Sequence, residues 1–286
     1  LREIEPKRCA KKMFILPPEV SGYESAMSKD LDIQVRRDDH HTYFNDASDD
    51  YRLYRPRYPD RLYEEIIAHA EGDSAVWDCA TGNGQSAVSL TKYFDRVYAS
   101  DVSRQQIESA IDHERVSYSV QAAEKTDFED GQFDAICVAQ ALHWFDYERF
   151  WPEVRRVLKP GGLFAAWGYD WFRVDPESDR MIEEKLLHVI RSYWSERNEL
   201  LWNKYADVPF PLREIDIPEM EMAVEWSATD LIGFVKTWSA TKLCIKEIGT
   251  DFLDELHGEL RKLWGSAGNR RKATCRLHAK FGRFVD

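Results

Sequence analysis

Residues 75–167 predict an α/β fold, a parallel sheet with helices on both faces. Three observations predict it. Strand-like and helix-like runs alternate through this stretch, a glycine-rich loop joins the first strand to its helix, and a carboxylate closes the second strand. Alternation of this kind is built from strand–helix–strand crossovers, which make neighbouring strands parallel. In such sheets ligands bind beyond the carboxyl ends of the strands, near the point where strand order reverses.

The elements follow in order. Residues 75–80 (AVWDCA) are a short apolar run, then come the glycine loop 81–84 and a helical run at 85–94. Residues 96–100 form the second strand, ending at Asp101. Ser103 and Gln106 make a capping-box pattern, two side chains that reciprocally satisfy free backbone N–H groups at a helix start. Residues 116–123 alternate as a strand, and 133–141 (FDAICVAQA) are almost continuously apolar, as a strand buried on both faces is. A helix at 147–158 stops at Lys159-Pro160-Gly161-Gly162, because proline cannot continue it and glycine permits the turn. Residues 163–167 are the fifth strand.

Beyond it the pattern changes. Ile182, Leu186, Val189, Ile190 and Tyr193 form a helical stripe within 179–194. Strand-like runs at 220–226 and 273–285 flank helical runs at 231–238 and 252–264. The segment at roughly 170–210 reads as a helical cap or insertion before the last two strands, which complete the same sheet. Residues 1–41 carry Pro17-Pro18 and a charged stretch at 36–41 with no sustained period, and read as a weakly ordered extension. Met27 is a candidate natural start. Residues 42–286 form the domain.

Composition narrows the function. The 286 residues carry 39 Lys+Arg against 51 Asp+Glu, a net charge of −12, which opposes sequence-blind binding to nucleic acid. The segment 261–286 is the exception, with eight basic residues and a single acid, Asp286. It reads either as a surface for an anionic partner or as an intramolecular complement to the acidic body. Five scattered cysteines without a CxxC pair argue against a disulfide framework and a structural metal, and suit a reducing, cytoplasmic compartment. No apolar run approaches the ~18–20 residues of a membrane span. Oligomeric state, monomer or dimer, stays open.

The chemistry concentrates in Asp78-Cys-Ala-Thr-Gly82-Asn-Gly84, with Asp101 at the end of the next strand. Glycines at a strand-to-helix turn let backbone N–H groups approach a ligand, and an acid closing strand two suits a ribose diol. Gly82-Asn-Gly84-Gln-Ser-Ala87 also meets the looser form of a dinucleotide fingerprint. Asp78, however, would face a pyrophosphate there. A carboxylate at that position suits a cationic ligand, which favours S-adenosylmethionine, with its sulfonium and ammonium groups, over NAD.

The chain from Tyr51 to Tyr169 resembles the class I S-adenosylmethionine-dependent methyltransferases, of the methyltransferase type 11 or trans-aconitate methyltransferase-like group. The matching pieces are YRLYRPRYP (51–59), WDCATGNGQS (77–86), VYASDVS (97–103), FDAICVAQALHWFD (133–146), VLKPGG (157–162) and TWSA (237–240). The resemblance implies a Rossmann-like sheet of seven strands and transfer of a methyl group to a small-molecule acceptor, a carboxylic acid being one candidate. It also implies roles. Asp78, Ala80, Gly82 and Gly84 would hold the methionine portion, Asp101 the ribose, and Ala123 and Glu124 would lie beside adenine. Gln140 would meet the amino group through its carbonyl, and Arg55 and Tyr58 would close over the cofactor. Two departures stand out: the family's first glycine is Ala80, and Ala122 stands where relatives carry an acid. They motivate a second reading, a binding protein without turnover. A macromolecular methyltransferase using the basic C-terminal segment is a third.

His143 follows strand four at the expected mouth of the site. It either removes a proton from the acceptor or orients it, or it packs beneath the cofactor. Trp144, Trp171, Trp226 and Trp238 are candidates to line an acceptor pocket, Trp171 and Trp238 foremost, with core packing as the alternative for each.

Overall fold

The computed structural model describes residues 54–266 and 268–284, so the extension expected at 1–41 lies outside the described residues. The parallel half of the sheet is built from β1 (Ala75–Cys79), β2 (Arg96–Asp101), β3 (Val116–Val120), β4 (Phe133–Ala139) and β5 (Leu158–Tyr169). Three further strands follow: β6 (Arg213–Ile215), β7 (Met220–Trp226) and β8 (Arg271–Arg283). The order is β3-β2-β1-β4-β5-β8, with β8 antiparallel to β5. Both β6 and β7 pair along the outer edge of β8, at Arg213↔Arg283 and Met220↔Leu277. They share one edge position, broken at 216–219 where Pro218 stands. Eight strands therefore fill the seven places expected.

The inner strands β1, β2, β4 and β5 feed both faces, as the two-residue period requires, while the edge strand β3 adds Val116 and Tyr118 to one. On β5, Leu163, Ala165 and Trp167 enter one buried cluster, while Phe164 and Ala166 enter the other. On β1, Val76 and Trp77 divide the same way. The first face is covered by α1 (Asp60–His69), through Leu62, Tyr63 and Ile66, and by α2 (Gln85–Leu90), through Ala87 and Leu90. After the short α3 (Arg104–Glu108), α4 (Tyr147–Val157) covers the second face with Phe150, Trp151, Val154 and Val157. Counted from Tyr147, which packs on the same cluster, Phe150, Trp151 and Val154 complete the i, i+3, i+4, i+7 stripe of a helix buried along one side.

Several sequence expectations are corrected. The fifth strand runs from Leu158 to Tyr169 rather than 163–167, and the Lys-Pro-Gly-Gly turn is a four-residue bulge within it. Phe133 pairs with Leu158 and Ala135 with Leu163, and the loop between frees Lys159 to reach Asp134 at 2.7 Å. The helix expected at 85–94 ends at Leu90. The stripe at 179–194 lies on one unbroken helical path that changes pitch along its length. It comprises α5 (Pro176–Ile182), a π-helical turn (Glu183–Leu187), α6 (His188–Ile190) and a 3₁₀ turn (Arg191–Tyr193). The short α7 (Asn198–Trp202) follows.

The C-terminal helices are α8 (Ala228–Lys236), α9 (Ser239–Ile248) and α10 (Asp251–Trp264). Helix α8 starts three residues earlier than its apolar run because Ser227 and Asp230 form a reciprocal capping box. All three helices contribute to the first cluster, through Leu231, Ala240 and Leu256 among others. Among the described residues, no helix is long and apolar enough to cross a membrane.

Candidate active site

Strand order reverses at β1 and β4, so the turn after β1 and the loop after β4 open toward the same end of the sheet. Asp78, next to last in β1 and leading into that turn, is fully buried. Its Oδ2 accepts a short hydrogen bond from the Thr81 hydroxyl, while Oδ1 is buried without one. Burial pushes the carboxyl up to about 7, against the pull of Thr81, Ala87 N and Ser86, and the nearby Asp101 charge adds to the rise. An acid so placed is short of positive charge, which a cationic ligand supplies.

The backbone beyond it is left-handed at Ala80 (φ 55°), Gly82 (φ 57°) and Gly84 (φ 85°). A side chain at Gly84 would be strained by the left-handed backbone, and its Cβ would collide with the Tyr118 hydroxyl. Ala80 keeps the glycine-like conformation despite its methyl group. Asp101 ties this turn to β2. Its Oδ2 accepts from Gly82 N at 2.9 Å and its Oδ1 from Ser103 N at 2.8 Å. Ser103 caps α3 by accepting from Gln106 N at 3.3 Å.

Ala123 and Glu124 sit in the tight turn after β3, bracketed by the bridge between Ala122 and Lys125. Glu124 Oε1 accepts from Asp146 N at 3.0 Å, which fastens that turn to the start of α4. Gln140, directly after β4, is also left-handed (φ 55°), and its side chain donates to Tyr169 O at 3.1 Å. Arg55 donates to the Tyr169 hydroxyl at 3.2 Å, and Tyr58 packs edge-on against Trp167 at 5.6 Å.

A cleft of about 820 Å³, counted out to its open mouth, gathers the rest. Arg55, Gln140, His143, Trp144, Trp171 and Trp238 all line it. Asp78, Gly82, Gly84, Asp101, Ala123 and Glu124 do not; they occupy the ends of β1, β2 and β3 beside it. Sequence reasoning missed several lining residues: Asp170, Trp194, Asn198, Trp202 and Lys242. The excess of tryptophan was the available signal for two of them. Trp226, by contrast, packs in the core against Phe172 and Phe234.

His143 is only 2% exposed, and its Nδ1 makes no hydrogen bond. Burial, and then the Arg197 charge, lower its pKa to about 3, so the ring is neutral at pH 7. Arg197 was not anticipated either. Its Nη1 donates to Trp144 O at 2.9 Å, Phe145 O at 3.2 Å and His143 O at 3.4 Å. Those carbonyls belong to the 3₁₀ turn Leu142–Trp144 and the residue after it, where a helical turn leaves its acceptors unpaired.

An unmet buried carboxylate oxygen, a left-handed glycine turn and an acid closing β2 fit a nucleoside ligand with a cationic end. Comparison with known proteins gives the same direction. The methyltransferase-domain family matches residues 77–166. A Dictyostelium discoideum protein assigned as a methyltransferase is 32% identical over 226 residues, spanning 77% of this chain and 86% of that one. A Saccharomyces cerevisiae protein assigned as an S-adenosylmethionine-dependent methyltransferase is 26% identical over 231 residues, spanning 68% and 79%. Among solved structures, one from Anaeromyxobacter dehalogenans assigned as a type II methyltransferase superposes with a TM-score of 0.74. It is 35% identical and covers 80% of this chain and 98% of its own. The chain belongs to the methyltransferase-domain family and is an S-adenosylmethionine-dependent methyltransferase.

Proposed function

We propose that the protein methylates a small-molecule carboxylic acid on oxygen, as a member of the trans-aconitate methyltransferase-like group. The observation that carries this reading is the weakness of the bases in the cleft. His143 is neutral and, with a pKa of about 3, too weak to deprotonate an alcohol or a phenol. Asp170 is weak as well: burial raises its pKa, but His278, Trp171 N and Cys275 together hold it below the usual carboxylate range. An acceptor that arrives ionised needs no base, and a carboxylate is ionised at pH 7. S-adenosylmethionine supplies a methyl group on a sulfonium sulfur, whose transfer to a carboxylate oxygen leaves the electron pair on sulfur and releases no proton.

The residues then divide the work. Asp78, Ala80, Gly82 and Gly84 cradle the methionine end, Gln140 offers its carbonyl to the ammonium, and Arg55 faces the carboxylate with Tyr58 closing behind it. Asp101 takes the ribose hydroxyls, with Ala123 and Glu124 beside adenine. His143 orients the acceptor rather than taking a proton from it. Trp144, Trp171 and Trp238 border the acceptor, and Lys242 adds positive charge to the same cleft. Positioning and exclusion of water supply the acceleration.

A small acceptor fits better than a macromolecule. Five of the eight C-terminal cations are already paired within the chain: Lys262 with Glu259, Arg270 with Asp230, Arg271 with Asp175, Lys280 with Glu214 and Arg283 with Glu71. The residues at 170–210 form the proposed cap, supplying Trp171, Trp194, Asn198 and Trp202 to the cleft. Four unbridged buried cysteines, Cys79, Cys137, Cys244 and Cys275, suit a reducing, cytoplasmic setting. The test is product analysis with S-adenosylmethionine and matched panels of carboxylic acids, phenols and amines. Methyl esters should form from the acids; turnover of phenols or amines with inert acids would overturn the proposal.

A further inference from the structure

One wall of the cleft is made of tryptophan brought together from distant parts of the chain. Trp171 follows β5, Trp194 precedes α7, Trp202 is the last residue of α7, and Trp238 stands at the N-cap of α9. The ring of Trp171 lies 5.1 Å from Trp238, 5.8 Å from Trp194 and 6.1 Å from Trp202, centroid to centroid. Trp194 in turn lies 5.7 Å from Trp202 and 5.9 Å from Trp238. All four line the cleft, and Trp171, Trp194 and Trp202 are only partly buried. Trp171, Trp194 and Trp202 stay partly open where a core ring such as Trp226 is covered, and Trp238, at 8% exposure, backs them. A contiguous aromatic surface left facing a cleft is a surface for a ligand.

We infer that the acceptor is an aromatic or fully conjugated carboxylic acid, its flat ring laid against this wall. The carboxylate part of this inference rests on the function proposed above; the ring part rests on the wall itself. The interplanar angles run from 31° between Trp171 and Trp202 to 81° between Trp194 and Trp202. A flat ligand can stack on one indole while a second meets it edge-on, the two arrangements aromatic quadrupoles favour. A puckered or branched acid meets such a wall over less area and leaves indole surface wet. Tryptophan faces also attract cations, so the choice of an acid over an amine rests on the function proposed above and is put to the test with a probe of each kind.

The experiment is binding, read by tryptophan fluorescence and by calorimetry, with benzoate, 2-naphthoate, cyclohexanecarboxylate and 1-naphthylmethylamine as probes. Benzoate should bind roughly three- to tenfold more tightly than cyclohexanecarboxylate, the factor that one or two aromatic contacts supply. Trp194→Leu should remove that preference and Trp194→Phe should keep most of it, while both variants bind S-adenosylmethionine as the parent does. Equal affinity for benzoate and cyclohexanecarboxylate would overturn the ring part. Tighter binding of the naphthylmethylamine than of 2-naphthoate would overturn the acid part. Product analysis separates the two levels. Aromatic acids that bind but stay unmethylated while phenols turn over refute the proposed function and leave the wall's role standing. Aliphatic acids that are esterified in preference to aromatic ones refute the wall's role and leave the proposed function standing.

Discussion

Arg197→Met is the substitution that tests how the acceptor side of the site is held. Arg197 reaches from just before α7 to the turn that carries His143 and Trp144, and a single nitrogen, Nη1, serves three carbonyls. Methionine keeps much of the apolar stem and removes the charge and the donors. A charge-assisted hydrogen bond is worth about 1.5–3 kcal/mol. The side chain is partly exposed and two of the three contacts are long, so the lower end applies, about 1.5 kcal/mol. Expressed in the acceptor's kcat/KM, that is a loss of roughly tenfold. S-adenosylmethionine affinity should move less than about twofold, because Asp78, Gly82 and Asp101 belong to the ends of β1 and β2. The His143 imidazole should also titrate somewhat higher, yet stay below its ordinary value, since burial is the larger cause of its depression. Steady-state kinetics with acceptor and cofactor varied separately, and NMR titration of His143, make the measurement. Equal losses for both ligands, or unchanged acceptor kinetics, would refute the reasoning.

Three further outcomes follow from the cofactor side. Asp101→Ala removes acceptors from Gly82 N and Ser103 N as well as from the ribose, and should weaken S-adenosylmethionine binding by about 1.5–3 kcal/mol in calorimetry; unchanged affinity would mean that the ribose binds elsewhere. Ala80→Gly relieves a left-handed alanine, roughly 1–2 kcal/mol, against about 0.5–1 kcal/mol of added unfolded-state freedom, so Tm should rise by about 1–3 °C. A fall in Tm would show that packing of the methyl group outweighs the strain. Asp78 has a raised folded pKa of about 7, so between the unfolded carboxyl value and pH 7 the folded state holds the extra proton and this group's contribution to stability declines as pH rises. A cationic ligand favours the ionised form, so S-adenosylmethionine should bind more tightly from pH 6 to 8, then level off. Its binding at pH 6 should release a proton, seen as a dependence of the calorimetric heat on buffer ionisation. Asp78→Asn should flatten the profile, and a parent profile already flat would remove Asp78 from the cofactor site.

The strand–turn–helix units at 75–101 were legible because their determinants are local. Asp78, Gly82, Gly84 and Asp101 lie within one unit, and apolar periodicity with glycine at left-handed positions specifies that unit without reference to the rest of the chain. The outer edge was legible in part: the alternation at 220–226 is β7, whereas β6 is three residues long and lies before Pro218, too short to show a period. Helices α1 and α9 were missed for a related reason. Neither has a side-chain N-cap, and the residues each buries are few: Leu62, Tyr63 and Ile66 on α1, and Ala240, Thr241 and Cys244 on α9.

By itself, then, the sequence determined the layered α/β sheet and the cofactor turn. Only the tertiary structure decided the acceptor side. Trp171, Trp194, Trp202 and Trp238 are spread over 68 positions, and Arg55 and Lys242 are nearly two hundred apart, yet all line one cleft. Such convergence depends on sheet order and helix packing, which act between residues that no local window contains. The same holds for His143. Its neutral state follows from burial and from a guanidinium 54 residues away, neither of which is written beside it in the chain.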